Sequence, residues 1–402
     1  MAAKIGEDGL PFLSPEEFQT TDLTEIDELR RTHGLVRTDP RRVMVLRSED
    51  VERLTSDPSL LQLPAMQYTT VLGIPDGRVA SFLHNVMLMA NGEDHKRRRG
   101  AFTKTFAHPV IRAKRAEVRA VADRVVADLP RGERFDFLAL CSSRLPAEMI
   151  AEVLGLDIEK SGWFATQVYS LSRCLMAPYA VDDHDEIEAA AEALYQFVTA
   201  ELDARRAEPR DDLLSMLVSD DSARALDGDE LIHQVVGLIL AGSDTTRSGF
   251  NMTVASLLGD RTLWDEVNAN RDLIPAAIDE ALRMHPPVGS TPRFAPAPVE
   301  IAGKTIDGMQ LVGPSTLSAL RDDARVANPD TFDLHRTDHV RPHMVFGGGA
   351  HRCLGEMLAR IELEEGLAAL LDGAPDIEMI EAPKMLGISG IRRSTPLIAR
   401  IP

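Results

Sequence analysis

A long apolar stretch in the middle of the chain limits the possible folds more than any other feature. Residues Asp229–Leu258 are largely apolar with helical spacing, and as one continuous helix they would be roughly 45 Å long. The chain has 402 residues, which is enough to bury such a helix in a large core. Apolar residues recur at intervals of three and four from His95 to about Leu257, and Glu186–Arg206 is the clearest amphipathic helix. The middle of the chain therefore predicts a helical core.

Shorter elements flank this core. We expect β-rich parts at roughly 35–75, 288–320 and 376–402, and helical parts at roughly 95–285 and 354–371. Arg42–Leu46 is a typical β-like run, and Leu354–Leu371 is the last predicted helix. No repeat or evident linker interrupts the chain. We interpret residues 1–402 as a single domain that is mainly α-helical with a smaller β-rich part.

Charge and cysteine content exclude several classes of protein. The net charge of −19 argues against a nucleic-acid binder, because phosphate contacts need a basic surface. Three widely spaced cysteines argue against a disulfide framework and a zinc ribbon, and favour a reducing compartment. The N-terminus has no apolar run long enough for a signal peptide or a membrane anchor. We therefore expect a cytoplasmic protein.

The segment that contains the third cysteine combines several chemical features. Residues Phe346–Gly355 read FGGGAHRCLG and are followed by a helical segment. Consecutive glycines allow special backbone conformations and a close approach to a flat ligand. Cys353 stands just before a helix start, where the N–H groups and the helix dipole stabilise a thiolate. Gly355 permits tight packing behind it. A lone cysteine would more often be a small buried hydrophobe.

The complete segment resembles the haem-binding loop of the cytochrome P-450 superfamily, with Phe, Gly, a basic residue, Cys and Gly at the family's spacing. The resemblance implies the P-450 fold, in which haem lies between a long distal helix and the cysteine loop. It also implies haem b as cofactor, with the Cys353 thiolate as ligand of the iron. The other residues that it assigns to haem binding in this segment are Phe346, Gly347, His351 and Gly355.

A second part of the resemblance is a Glu-x-x-Arg pair. Glu280 and Arg283, in IDEALRMHPP, lie on one helix face and can pair. Taken alone, they would be a weak surface ion pair. In the family this pair forms a buried network with an arginine from a later meander. Here ANPDTFDLHRTD supplies Arg336 as the partner, so a structural role in holding the haem loop is implied.

A third part lies in the long helix, where Gly242-Ser243-Asp244-Thr245-Thr246 places poor helix formers between apolar flanks. Serine and threonine hydroxyls can divert backbone hydrogen bonds and bend a helix. A solvent-exposed patch or a helix end is the alternative interpretation. The sequence is similar to the family's distal-helix motif. By that resemblance Ala241 and Gly242 leave room for oxygen above the haem, and Asp244 and Thr245 are the acid–alcohol pair that delivers protons.

Haem propionates need cationic partners. His95 and Arg99 stand four residues apart on one helix face, where the family has a propionate-binding His-x-x-x-Arg. Arg293 and His351 occupy the other positions that the family uses, and the planar guanidinium suits carboxylates. We interpret Lys96, Arg97 and Arg98, between the first two, as a solvated basic run.

The predicted substrate pocket is apolar. A roof loop, Leu63–Ala90, would cover it, and Ser290 and Thr291 could bind a polar group of the substrate. Each apolar candidate could equally be an ordinary core residue. The candidates are Met87, Met89, Val235, Leu238, Ile239, Val288 and Ile388.

Three functions remain open at this point. The first is a monooxygenase that inserts one atom of O₂ into a hydrophobic small organic substrate, most simply by hydroxylation. Its electrons would come from a ferredoxin and an NAD(P)H-dependent ferredoxin reductase, since no fused reductase domain is present. The second is a peroxygenase driven by hydrogen peroxide, and the third is a haem-binding sensor without turnover. The intact Asp244-Thr245 pair favours the first.

Overall fold

The computed structural model describes residues 4–175, 179–339 and 343–402, and helices dominate it. In chain order, helices α1–α18 span Pro15–Thr20, Leu23–Thr32, Ser48–Ser56, Ala65–Leu72, Arg78–Asn85, Gly92–Gly100, His108–Ala113, Arg115–Ala127, Arg144–Leu154, Ser161–Ser172, His184–Ala207, Leu213–Ser219, Asp221–Arg224, Gly228–Gly259, Arg261–Ala269, Ile274–Met284, Thr316–Ala319 and Glu356–Gly373. Strands β1–β13 span Lys4–Ile5, Pro11–Phe12, Leu35–Asp39, Arg42–Val45, Arg134–Asp136, Arg293–Ala295, Val299–Ile301, Lys304–Ile306, Gln310–Pro314, Glu378–Glu381, Met385–Leu386, Arg393–Ser394 and Ile398–Arg400. Single 3₁₀ turns include Met87–Met89, Met344–Phe346 and Gly349–His351.

Helix α14 confirms the prediction of one long helix in the middle of the chain. It has 32 residues, which corresponds to about 48 Å. The polar run within it does not interrupt the helix. The hydroxyls of Ser243 and Thr245 donate to the carbonyls of Ile239 and Ala241, at 2.7 and 2.9 Å, four residues earlier. Both hydroxyls therefore have their hydrogen-bond acceptors within α14. Because α14 continues through these residues, the alternative of a helix end at this point is excluded.

Two compact units make up the described chain. The first unit comprises Met1–Leu63, Ser256–Cys353 and Lys384–Thr395. Its main sheet has six strands in the order β1-β2-β3-β4-β9-β6. Strands β3 and β4 form an antiparallel hairpin, and β4 pairs in parallel with β9. Apolar residues on β3, β4 and β9 are buried, for example Leu35, Val43 and Val312 at 0% exposure, so these strands contribute to the core of this unit.

The second unit comprises Pro64–Ala255, Leu354–Pro383 and Pro396–Pro402. It contains α14 as far as Ala255, together with α18, which packs against α8. A three-stranded sheet of order β10-β13-β5 joins its C-terminus to Arg134–Asp136. Close packing requires a glycine at one place in α18, because a Cβ at Gly366 would lie 3.0 Å from the Phe250 ring. This unit is the predicted helical core.

The first predicted β-rich part is wrong beyond Val45. Residues after β4 form α3 and α4 instead of strands. In α3, Val51 and Leu54 are three residues apart and both are buried, which is helical rather than strand spacing. The predicted β-rich parts at 288–320 and 376–402 do contain strands β6–β9 and β10–β13. The interpretation of 1–402 as one domain stays a prediction. Across the described residues, no helix is long and apolar enough to cross a membrane.

Candidate functional site

The cysteine loop is closed by its own backbone. The N–H of Cys353 donates to the carbonyl of Phe346 at 2.8 Å, and the guanidinium of Arg352 donates to the carbonyl of Gly347 at 2.7 Å. Gly347 and Gly349 have φ angles of 71° and 61°, in the left-handed region where a side chain is strained. The glycine run is therefore needed to turn the chain back to Cys353.

The three cysteines have different surroundings, and none forms a disulfide. Cys353 is exposed and lies three residues before the start of α18. Cys141 and Cys174 are completely buried, and this burial raises the pKa of both thiols far above the usual range. Of the three, Cys353 is thus the thiol that an external group can reach. The space beside Gly355 is open to a Cβ, so the expected tight packing behind Cys353 is not made by protein atoms.

The first unit brings Glu280, Arg283 and Arg336 together. The Glu280 carboxylate accepts two hydrogen bonds of 2.8 Å from Arg283 and two of 3.0 Å from Nε of Arg336. It also accepts the backbone N–H of Asp333 at 3.1 Å. Arg283 in turn donates to carbonyls of Leu320, Pro329 and Thr331. The pair is therefore not a surface ion pair, because it joins α16 to the later meander.

The charge state of Glu280 follows from these partners. Its side chain is 0% exposed, and burial alone would raise the pKa of the carboxyl group. Hydrogen bonds and positive charge from Arg283, with further donors from Asp333 and Arg336, more than compensate and leave the pKa of Glu280 lowered. His339 lies 3.6 Å from the same carboxylate. The pattern Glu-x-x-Arg gave no sign of this histidine.

One face of α14 is open within the second unit. Leu238, Ala241, Gly242 and Thr245 are partly or fully exposed, while the residues around them in this helix are mostly buried. Their spacing places them on one side of the helix. We call these four residues the open face. Val235 and Ile239, at 1% and 0% exposure, lie off this face, and their assignment to a pocket wall stays a prediction.

Asp244 has a cation beside it that the sequence analysis missed. The carboxylate pairs with Arg247 one turn later, and the guanidinium of Arg247 lies 4.1 Å from the centre of the Tyr169 ring. Asp244 is 2% exposed, so this ion pair is buried at the carboxylate end. The spacing of three residues between Asp244 and Arg247 was the available signal.

A second buried acid lies near the distal motif. Glu362 of α18 is 3% exposed, and burial raises its pKa well above the usual range despite a hydrogen bond with Thr246. Glu362 stands between the apolar residues Ile361 and Leu363, which was the only sequence signal for it.

His95 and Arg99 both lie on α6, four residues apart. His95 is 4% exposed, and burial, with a smaller contribution from the positive charge of Arg99, lowers its pKa. An anion between the two side chains would relieve this repulsion. His351 is half-buried in the turn before Cys353.

The basic run between His95 and Arg99 is not uniformly solvated, which corrects one expectation. Arg98 is 8% exposed and contacts Glu230 of α14 at 3.1 Å. Arg97 also binds Glu230, and its hydrogen bonds are the main cause that lowers the pKa of Glu230 to about 2. Lys96 alone is a typical surface residue, with its side chain 72% exposed.

Arg293 at the start of β6 is a buried cation whose hydrogen bonds go only to nearby carbonyls. It is 5% exposed and donates to the carbonyls of Pro292 and Thr291, at 3.1 and 3.5 Å. Among the described residues it has no carboxylate partner, and burial lowers its pKa. The hydroxyl of Thr291, two residues earlier, is buried and has no hydrogen-bond partner among the described residues. Buried charges normally have a partner, so this arrangement fits an external anion.

The remaining pocket candidates divide into two groups. Met87, Met89 and Val288 are partly exposed, as residues beside a cavity would be. Ile388 is 8% exposed and packs in an apolar cluster with Leu13, Phe18 and Ile26, so its place beside a cavity stays a prediction. The hydroxyl of Ser290 is also occupied, since it accepts the N–H of Gly390 at 3.1 Å.

Comparisons with known proteins identify the family of this chain. The family model described as cytochrome P-450 matches residues 167–373. A plant-inducible cytochrome P-450 of Rhizobium radiobacter is 37% identical over 375 residues, covering 93% of this chain and 87% of the relative. The chain belongs to the cytochrome P-450 family. A luteothin monooxygenase of Streptomyces thioluteus is 30% identical and covers 90% of this P-450, and 88% of the relative is covered in turn.

Solved structures confirm the P-450 fold. The enzyme for C–S bond formation in chuangxinmycin biosynthesis superposes with a TM-score of 0.86 at 25% identity, with 97% of each chain covered. The ligand-free P-450 TbtJ1 superposes with a TM-score of 0.83 at 29% identity, covering 94% of this chain and 96% of that one. Several relatives are named as monooxygenases, so this P-450 is an oxidoreductase of the monooxygenase class with a haem-thiolate cofactor.

Proposed function

We propose that this P-450 binds haem b through the Cys353 thiolate and inserts one atom of O₂ into a hydrophobic small organic molecule, most simply by hydroxylation. The observation that carries the proposal is the accessibility of Cys353, the exposed thiol at the end of a glycine loop and directly before a helix. When bound, a haem with a thiolate ligand supplies the oxygen-activating chemistry of the family, because electron donation by sulfur favours O–O cleavage.

The haem carboxylates would be bound by two arginines, two histidines and one threonine hydroxyl. Arg293 supplies a buried guanidinium with no carboxylate partner among the described residues, and the nearby hydroxyl of Thr291 is a further donor. His351 lies in the turn before Cys353, and His95 and Arg99 supply two further donors from α6. The chemistry of these donors fits two propionates, because guanidinium and imidazole groups bind carboxylates through charge-assisted hydrogen bonds.

The open face of α14 would serve the distal side. Ala241 and Gly242 have small side chains or none and leave space for a diatomic molecule. The Thr245 hydroxyl, which donates to the carbonyl of Ala241, can rotate to offer its proton to an oxygen atom above the face. Asp244 would pass protons from solvent to Thr245 through water, and Arg247 holds the carboxylate until it does so. Proton delivery of this kind contributes about 10²–10⁴-fold to a rate.

The substrate would be apolar and the electrons would come from separate proteins. Leu238 on the open face is apolar and accessible. The other apolar candidates are also partly exposed, as residues that line a ligand pocket usually are: Met87, Met89 and Val288. Relatives are named as a luteothin monooxygenase, a nocardicin C N-oxygenase and a mycinamicin IV hydroxylase/epoxidase, which supports an organic small molecule. We propose a ferredoxin with an NAD(P)H-dependent reductase as the donor, and a cytoplasmic location.

Spectroscopy tests the haem ligand directly. The reduced protein with carbon monoxide should show the strongly red-shifted Soret band of a thiolate-bound haem. Cys353→Ala should abolish this band, whereas Cys141→Ala and Cys174→Ala should keep it. A wild-type protein without the band, or a band that survives Cys353→Ala, would contradict the proposal.

Turnover separates the monooxygenase from the peroxygenase. A screen for compounds that shift the ferric haem from low to high spin would identify a ligand for the assay. We expect a spinach-type or bacterial ferredoxin with its reductase and NADPH to support oxidation of that compound. Oxidation that proceeds only with hydrogen peroxide would favour the peroxygenase instead.

A further inference from the structure

We propose that Gln234 is a specificity-determining residue: its side-chain amide fixes the chain at Asn85–Met87 against α14 and so sets where the distal cavity ends along this helix. The inference rests on the proposed function, because it assigns a boundary to the distal cavity of the haem site. Gln234 carries no assigned role in the motifs described above.

The first observation is the set of hydrogen bonds that one buried side chain makes. Gln234 is 0% exposed. Its Oε1 accepts the backbone N–H of Met87 at 2.7 Å, and its Nε2 donates to the carbonyl of Asn85 at 2.6 Å. Nε2 also donates to the carbonyl of Glu230, one turn earlier in α14, at 3.0 Å. The amide therefore bridges the distal helix and the end of the roof loop on both sides of Val86.

The second observation is a close approach of the Val86 side chain to the backbone of α14 at Gly237. A Cβ at this position would lie 2.7 Å from Cγ2 of Val86, which is too close for two non-bonded carbon atoms. Val86 itself is 4% exposed. Gly237 thus provides the space into which Val86 packs, while the amide of Gln234 holds the neighbouring peptide groups. Together they fix both the depth and the register of this segment on α14.

The third observation is the position of Gln234 relative to the open face. Gln234, Leu238, Ala241 and Thr245 follow a spacing of four, three and four residues and share one side of the helix. Gln234 is covered by Asn85–Met87, whereas the next residue on this side, Leu238, is accessible. The Gln234 position is about 10 Å along the helix axis from Ala241. The open face therefore begins where the Gln234 contact ends.

A further set of contacts prevents the whole region from shifting together. His233, next to Gln234, contacts the Ser81 hydroxyl at 3.1 Å and the Phe82 ring edge-on. Glu230 holds Arg97 and Arg98 of α6. The segment from α5 to α6 is therefore attached to α14 on both sides of Met87. Within this frame, Gln234 is the residue that positions the Met87–Met89 turn, whose methionines are partly exposed.

Two iron-binding probes of different size test the proposal in the purified holoenzyme. Imidazole and 4-phenylimidazole are titrated into ferric protein, and the Soret shift gives both dissociation constants. In Gln234→Met, the ratio of the two constants should change by about fivefold or more, because the loss of a buried hydrogen bond changes affinity by this order. The matched control, Gln196→Met on the exposed side of α11, should change the ratio by less than about twofold.

Hydrogen–deuterium exchange of ligand-free protein gives an independent result. The Met87 amide donates to Gln234, so its exchange should be faster in Gln234→Met by about tenfold. If this variant incorporates little haem, Gln234→Glu is used, because it keeps an acceptor for Met87 and removes the donor to Asn85. An unchanged ratio of dissociation constants in either variant, or a changed ratio with unchanged exchange at Met87 in Gln234→Met, would overturn the role of Gln234. Failure of the proposed function is a separate result, since no variant would then show the red-shifted carbon monoxide band.

Discussion

Replacement of Glu280 by glutamine tests how the scaffold of the cysteine loop is stabilised. The variant keeps the size of the side chain and removes its charge. It leaves Arg283 and Arg336, whose side chains are 1% and 3% exposed, without their common carboxylate. Three groups donate to Glu280, and each charge-assisted hydrogen bond contributes about 1.5–3 kcal/mol when taken singly. Such contributions are not additive.

The expected loss follows from the burial of the cations. Removing one partner of a buried ion pair costs about 3–5 kcal/mol, because the remaining charge stays desolvated without compensation. We therefore expect Glu280→Gln to lower the free energy of unfolding by about 3–5 kcal/mol. Because the pKa of Glu280 is lowered in the folded protein, its stabilisation is present above the unfolded pKa of about 4.3 and disappears as the pH falls below the folded value.

Urea titration at pH 7, followed by tryptophan fluorescence, measures this loss. Trp264 is 0% exposed and lies in α15, the helix whose Glu266 contacts His335 of the meander at 2.8 Å. The matched control is Glu52→Gln, because the Glu52–Arg325 pair is about half exposed, with side chains at 46% and 42%. The control should lose less than about 1 kcal/mol. If Glu280→Gln loses no more than Glu52→Gln, the network does not stabilise the scaffold.

Three further predictions concern the distal motif, α6 and pH. Thr245→Val should retain ligand binding but divert electrons to hydrogen peroxide, and unchanged coupling of NADPH oxidation to product would remove Thr245 from proton delivery. In urea titrations, Arg98→Met should lower the free energy of unfolding by about 2–4 kcal/mol and Lys96→Met by less than about 0.5 kcal/mol, because only Arg98→Met removes a buried contact with Glu230. Equal losses in the two variants would contradict this. Burial lowers the pKa of His233 to about 4, so its contribution to stability is complete above about pH 6.5 and falls by about 2 kcal/mol at pH 5. Between pH 7 and pH 5, His233→Gln should therefore lose less stability than the wild type. An identical loss in the two proteins would refute this assignment.

Much of the fold could be predicted from the local pattern of apolar and polar residues in the sequence. The long apolar run predicted α14 because no other regular structure buries 32 residues of this composition. The cysteine, Glu-x-x-Arg and acid–alcohol motifs led to residues that the structure places in closed loops, buried networks and an open helix face. Short helices were harder. In α3, two buried apolar positions in nine residues give too weak a period to separate a helix from a strand.

The surroundings of a single side chain could mostly not be predicted from the sequence. Val235 and Leu238 are both apolar residues of α14, yet only the second is accessible, because the packing partners around the helix decide which side is covered. Lys96 and Arg98 are both basic residues of α6, yet Glu230, more than a hundred positions later, buries only the second. These differences depend on contacts between distant segments, about which a local pattern carries no information.

The unequal burial of the three thiols has a practical consequence for anyone who prepares this P-450. Cys141 and Cys174 are closed to reagents in the native fold, so maleimide labelling of native protein reports on Cys353 alone. Iron coordination would protect that sulfur as well. The number of labels per chain would then count the molecules without haem, and mild oxidants would damage such molecules first, at the sulfur that we propose as the iron ligand.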